Sequence, residues 1–212
     1  MANTAFTALF DDVLPHVPGC SQPIASDAIR KAAIEFCERS WAWIFNSPDI
    51  DVVNGQMAYP FTPPGNAVVS KVLQVWYDDE PLTPKTPDEL NTLYPNWRTV
   101  TGTPIHYTQD DSRNLLLVPT PDADLTDGLK MRVALKPTIA AADIETVIYE
   151  EYREAIACGA LAQLMMSPKK PYSDPGLAVV KLEYFESKIG STRFKVQKGF
   201  ARAPQRNVAH FF

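Results

Sequence analysis

The sequence predicts an α+β protein, with helices at both ends of the chain and an antiparallel β domain inserted between them. Three observations carry that expectation. Residues 143–166 (DIETVIYEEYREAIACGALAQLMM) hold an apolar stripe at helical spacing, and from Ala157 onward the only polar side chain is Gln163. Between Pro48 and Pro137 the apolar period changes from helical to two. Twelve of the chain's 19 prolines fall in that same interval, where they mark turns and strand ends.

Taken in order, Phe6, Leu9, Phe10 and Val13 predict a short first helix, stopped by Pro15 and Pro18-Gly19. A longer helix is expected from about Pro23 to Phe45. Its face of small and apolar residues is Ala25, Ala28, Ile29, Ala32, Ala33, Phe36, Cys37 and Ser40, which lets another helix approach closely. Trp41, Trp43, Ile44 and Phe45 crowd its end, where burial in a core or domain junction outweighs a partner-facing role. Then come Met57/Tyr59/Phe61 in alternation, a long β-rich run Val68–Tyr77, short candidates at Ile105–Tyr107 and Leu115–Val118, and the alternating Leu129, Met131, Val133, Leu135. Acidic turns (Asp78-Asp79-Glu80, Asp110-Asp111, Asp127-Gly128) separate them, and a short helix Pro87–Leu93 interrupts the sheet.

Asp143 has the side chain to cap the helix that follows, and Glu145 adds charge where the helix dipole is positive. Ile144, Val147, Ile148, Tyr152, Ala155, Ile156 and Gly159 form its stripe, and its second half should be buried on every side. Asp174-Pro175 reads as a cap followed by proline at the first helical position, with Leu177/Ala178, Leu182, Phe185 and Ile189 as the last helix's stripe. The expected organisation is a helical bundle from 1–47 and 138–198, an inserted β domain at 48–137, and an extended C-terminal arm at 199–212 with no fold of its own.

A net charge of −5 argues against general nucleic-acid binding, which needs a basic footprint. The charge is unevenly spread: Ser187–Phe212 carries six basic residues and no acid, so the preceding residues sum to −11. Three widely spaced cysteines (Cys20, Cys37, Cys158) suit a reducing compartment, and the opening MANTAFTALFDD lacks the basic and apolar regions of a secretion signal. Synthesis and folding in a cytoplasm are expected. The all-apolar run of the 143–166 helix is too short to cross a bilayer, so no membrane partner is expected.

Catalytic patterns are missing. There is no Gly-x-Ser-x-Gly, no phosphate-binding glycine loop and no His-Glu-x-x-His. His16, His106 and His210 stand apart from any ligand spacing, so no metal or other cofactor is expected. Asp78-Asp79-Glu80 lacks the alternation of a calcium loop, and Glu150-Glu151 with Arg153-Glu154 reads as the wet face of a helix. Cys37 and Cys158 lie in apolar helices and should be inert.

Five stretches carry a resemblance: Leu14-Pro15-His16-Val17-Pro18-Gly19-Cys20, Ala32-Ala33-Ile34-Glu35-Phe36-Cys37-Glu38-Arg39-Ser40-Trp41, Gly102-Thr103-Pro104-x-x-Tyr107, Val118-Pro119-x-Pro121, and Tyr152-Arg153-Glu154-Ala155-Ile156-Ala157-Cys158-Gly159-Ala160-Leu161. With the order of elements, they make the chain similar to the head-to-tail adaptor (connector) proteins of short-tailed bacteriophages, the tail-tubular A-like group. The resemblance implies a non-enzymatic virion component that forms a homo-oligomeric ring, typically twelve-fold. Such a ring joins the portal protein to the tail nozzle or tail tubular protein, with genomic DNA passing through its lumen. It also implies that the C-terminal arm contacts the portal, and Arg202, Arg206, Phe211 and Phe212 are the residues of that arm suited to do so. Another virion ring or tail-completion protein, and a tail-associated cell-wall hydrolase, are the alternatives; the latter would need paired carboxylates in a cleft.

Overall fold

The computed structural model describes residues 2–199. In chain order the elements are β1 (Asn3–Ala5), α1 (Phe10–Val13, flanked by 3-10 turns at Phe6–Leu9 and Leu14–His16), α2 (Gln22–Ser40), β2 (Trp43–Asn46), β3 (Ile50–Val52), β4 (Ala58–Pro60), β5 (Ala67–Tyr77), β6 (Glu80–Pro81), β7 (Thr83–Pro84), α3 (Pro87–Leu93), β8 (His106–Thr108), β9 (Asn114–Val118), β10 (Leu125–Pro137), β11 (Asp143–Glu145), α4 (Thr146–Met165) and α5 (Pro175–Lys198). Ile44–Lys136 makes one compact unit, and the described residues on either side of it make the other.

In the helical unit α4 packs against α1, α2 and α5. The buried residues of α2 are Ala25, Ala28, Ile29, Ala32, Ala33, Phe36, Cys37 and Ser40, the face its spacing predicts. Phe36 meets Tyr152 of α4 and Phe185 of α5, with ring centroids 5.0 and 6.1 Å away. Gly159 lets α5 come close, because a Cβ there would stand 2.8 Å from the Phe185 ring. Ala155–Ala162, Leu164 and Met165 are buried while Gln163 reaches solvent, so the second half of α4 is enclosed up to Met165; Met166, just past its end, was expected to be buried with the rest and is exposed.

Three expectations for these helices need correction. The second helix ends at Ser40, not Phe45. Trp41 turns left-handed (φ 58°) and its N–H closes on the Cys37 carbonyl at 3.0 Å, which releases Trp43–Asn46 to form β2. Glycine is the usual signal for such an end, and tryptophan gives none. Asp143 does not cap α4. It lies in β11, antiparallel to β1, and accepts a hydrogen bond from Asn3 Nδ2 at 2.9 Å. Helix α4 begins after Glu145 with no side-chain cap. Finally, Val147, Leu177 and Leu182 are exposed, so the buried stripes of α4 and α5 are narrower than their apolar patterns. Asp174 does cap α5, accepting from the Leu177 N–H at 3.0 Å.

The β unit holds two sheets, ordered β2-β10-β5-β6 (with β3 also on β10) and β4-β9-β8-β7. Leu129, Met131, Val133 and Leu135 of β10 are all buried, as their alternation predicts. Asp78, Asp79 and Asp127 take positive φ at the turns, which aspartate tolerates better than most residues. The sheets are not wholly antiparallel. β7 and β8 pair in parallel, since the chain between them makes a long crossover carrying α3. A capping box starts α3: Glu89 N–H donates to Thr86 Oγ1 at 3.2 Å, and Thr86 N–H donates to Glu89 Oε2 at 2.8 Å.

Candidate functional site

Two surfaces stand out, one on each unit. The first is α5 with its basic end. Only Ala178, Phe185, Ile189 and Thr192 of this 24-residue helix are buried, one side of it. Arg39 of α2 fastens α5 from the flank, its guanidinium donating two hydrogen bonds to the Glu186 carboxylate. That pairing holds Glu186 below the usual carboxylate range. On the opposite side, Gly176, Val179, Val180, Glu183, Ser187, Gly190 and Phe194 fall within about a half-turn of one another at 3.6 residues per turn. They are exposed, and Glu183 is their one charge.

Toward its C-terminal end α5 becomes basic, which suits the negative end of the helix dipole. Aromatic rings order three of these cations. Arg193 lies 4.1 Å from the centroid of Trp41, Lys198 lies 4.4 Å from Phe194, and Lys188 lies 5.2 Å from Tyr184. The sequence-predicted contact residues Arg202, Arg206, Phe211 and Phe212 lie outside the described residues, so their geometry does not enter here.

The second surface, in the β unit, was not foreseen from the sequence. Tyr94, Trp97, Val100, Ile105, Val118 and Pro119 enclose a cavity of about 100 Å³ lined by apolar atoms. Its floor is Trp97, 1% exposed and packed with Leu90 and Val118. The indole N–H of Trp97 donates to Asn91 Oδ1 at 2.8 Å, which satisfies the polar end of the ring from below. Arg98 stacks over the same indole at 4.2 Å and pairs with Asp110 at 2.9 Å. Around the mouth Tyr94, Val100 and Ile105 are 45–51% exposed, and Leu93 on the adjoining turn of α3 is 53% exposed. The only hint in the sequence is a pair of apolar residues, Trp97 and Val100, between Pro95 and Pro104, in a stretch with neither helical nor strand period.

Several other side chains with chemical potential are engaged or quenched. Burial pushes the Cys37 and Cys158 thiols up, away from thiolate. Burial also holds the His106 imidazole below its ordinary pKa, with Lys85 adding to the effect. The Asp111 carboxylate accepts the N–H groups of Arg113 and Asn114, at 2.7 and 2.9 Å, and is held low by them. Asp79 pairs with Lys130 at 2.6 Å, Asp12 with Arg153 at 2.7 Å, and Asp51 accepts the Asp127 N–H at 2.9 Å. No group of three or more metal-binding side chains comes together among the described residues. None of their helices is long and apolar enough to cross a membrane. What the geometry offers is docking: a helix face and a basic end on one unit, an apolar socket on the other.

Comparison with protein families matches residues 4–208 to the SU10 adaptor protein family. A comparison with curated proteins gives no match.

Proposed function

Because the chain belongs to the SU10 adaptor protein family, whose members are structural adaptors of phage virions, we propose that copies of it form a ring between the portal and the tail nozzle, with the genome passing through the lumen. The observation that carries this reading is the family match over 205 of 212 residues. Its division of labour follows from the two units. The helices from both ends of the chain act as one bundle around α4, and the exposed side of α5 with its basic end turns toward neighbouring subunits and the portal. Arg202, Arg206, Phe211 and Phe212 continue that basic end and grip the portal through charge and aromatic burial. The β unit carries seven basic and twelve acidic side chains, a net −5. It receives the tail, and its negative charge keeps passing DNA from adhering.

Electron microscopy of the purified protein mixed with its portal tests this directly: a ring seated on the portal is expected, and portals left bare at saturating protein would overturn it. Removing residues 200–212 should leave the melting curve nearly unchanged while abolishing portal capture. The pair Arg202→Ala/Arg206→Ala should weaken capture mainly at low salt, where screening is weak. Phe211→Ala/Phe212→Ala should weaken it at high salt as well.

A further inference from the structure

The helical unit leaves two of its own faces in solvent, and they are opposite in charge. On the outward side of α5, Val179, Val180 and Phe194 are 43–59% exposed, and the helix ends in basic residues. At about 100° per residue, Lys198 falls in line with Val180, while Lys195 and Arg193 flank Phe194 on either side. The Lys198 ammonium lies over the Phe194 ring, so this end is one aromatic and basic knob. On α4 the exposed face is confined to the first turns. Val147, Glu150, Glu151 and Glu154 stand at i, i+3, i+4 and i+7, all exposed, before enclosure begins at Ala155. Three carboxylates thus surround one exposed valine. Among the described residues, none of Glu150, Glu151, Glu154, Lys195 and Lys198 is spent on an ion pair.

The two faces also share a level. α4 and α5 form a hairpin across a short loop, with Gly159 against Phe185. Counting back from Gly159 and forward from Phe185 at equal rise, residues 147–154 lie beside 190–197. Complementary faces at one level suit head-to-tail contacts between copies without a step along the helices, and such contacts close into rings rather than filaments. We propose that the outward face of α5 in one copy docks on the Val147–Glu154 face of α4 in a second copy. Phe194 then covers Val147, and Lys195 and Lys198 stand among the three glutamates. The inference rests on the ring reading above and names the surfaces through which neighbouring copies meet. A small apolar contact rimmed by charge pairs supplies register and specificity more than affinity. It is therefore weak between free copies and effective once a portal holds them side by side.

Charge reversal in the full-length protein tests it. Glu150→Lys/Glu151→Lys and, separately, Lys195→Glu/Lys198→Glu should each stop side-by-side assembly on portal, read as rings in electron micrographs and as stoichiometry in sedimentation. Mixed in equal amounts the two variants should assemble again, because each reversed face then meets a reversed partner. Wild-type assembly should weaken as salt rises. If either variant melts early, a bifunctional thiol crosslinker decides: Val147→Cys mixed with Phe194→Cys on portal should give a linked dimer that neither gives alone, and its absence overturns the proposal. Full rings from Glu150→Lys/Glu151→Lys alone overturn it too, while leaving the ring reading intact. So does a loss in Lys195→Glu/Lys198→Glu that the mixture does not repair, the result expected if those lysines meet portal or DNA instead. A mixture that associates in sedimentation although no ring ever appears on portal keeps the contact and removes the ring reading.

Discussion

Helices α4 and α5 lie side by side, are of similar length and are both rich in apolar residues, yet they spend that apolarity differently. In α4 the run from Ala155 to Met165 is enclosed apart from Gln163, because α1, α2 and α5 all pack on it. In α5 the interior takes Ala178, Phe185, Ile189 and Thr192, while Leu177, Val179, Val180, Leu182 and Phe194 stay in solvent. The first helix is saturated by its own chain; the second is half-used. In an adaptor that difference separates the residues that make the fold from those available to a neighbour.

Substitutions along the two helices should therefore fall on a descending scale. Phe185→Ala removes the ring that α2 and α4 both touch, and should cost about 3–5 kcal/mol in urea unfolding. A loss under 1 kcal/mol would mean α5 is not seated as described. Glycines give the sharpest contrast. Gly159→Ala adds a methyl 2.8 Å from Phe185 and should destabilise by about 1–3 kcal/mol, less what alanine returns in helix propensity. Gly190→Ala points into open space and should stabilise by about 0.5–1 kcal/mol. Equal effects from the two would erase the distinction between the helices.

Arg39→Ala tests the tether between α2 and α5. Both partners are around 40% exposed, so solvent screening limits the loss to under about 1 kcal/mol at neutral pH. Glu186 has a depressed folded-state pKa, so the pair's contribution is present above the ordinary glutamate range and disappears as pH falls through the lower folded value. Wild type and Arg39→Ala should thus converge in acid, and a gap that persists there would assign the loss to packing. Smallest of all, Val180→Ser and Phe194→Ser should change stability by no more than about 0.5 kcal/mol. Their expected effect is on ring formation, read by sedimentation in the presence of portal.

How legible each feature was follows the range of the interactions that make it. The buried octet of α2, the Asp174 cap and the strand face of β10 depend on neighbours a few residues away, and the spacing of residues shows them. Asp143 looked like a cap because its local surroundings permit one. Its actual partner, Asn3, is 140 positions distant and leaves no mark near residue 143. Exposure of Leu177 and Leu182 could not be read either, since an apolar residue at helical spacing looks the same whether its own chain or another covers it. The Trp97 socket is harder still: its walls come from the turn after α3, the approach to β8 and the end of β9, and only the closed sheet assembles them. Docking residues beyond position 199 were expected from the family resemblance, with charge and composition only choosing among the residues of the arm, and they lie outside the described residues.

One feature of the β unit bears on how such a chain reaches its native state. β2 and β10, the first and last strands of Ile44–Lys136, are hydrogen-bonded neighbours, with the Ser47 N–H also donating to the Met131 carbonyl at 2.9 Å. Every contact between α2 and α4 spans more than a hundred residues, and native contacts of that separation slow folding. Once β2 and β10 have zipped, the intervening chain is already closed, and the closure entropy for α2 meeting α4 is that of the short remaining path. Folding should thus be nested, with the β2–β10 pairing first and the helix-to-helix contacts of the other unit completed afterwards. The same adjacency makes the rest of the β unit tolerant of length change: doubling a loop within it adds only about 0.6 kcal/mol of closure cost, and none of that is felt by the helices outside.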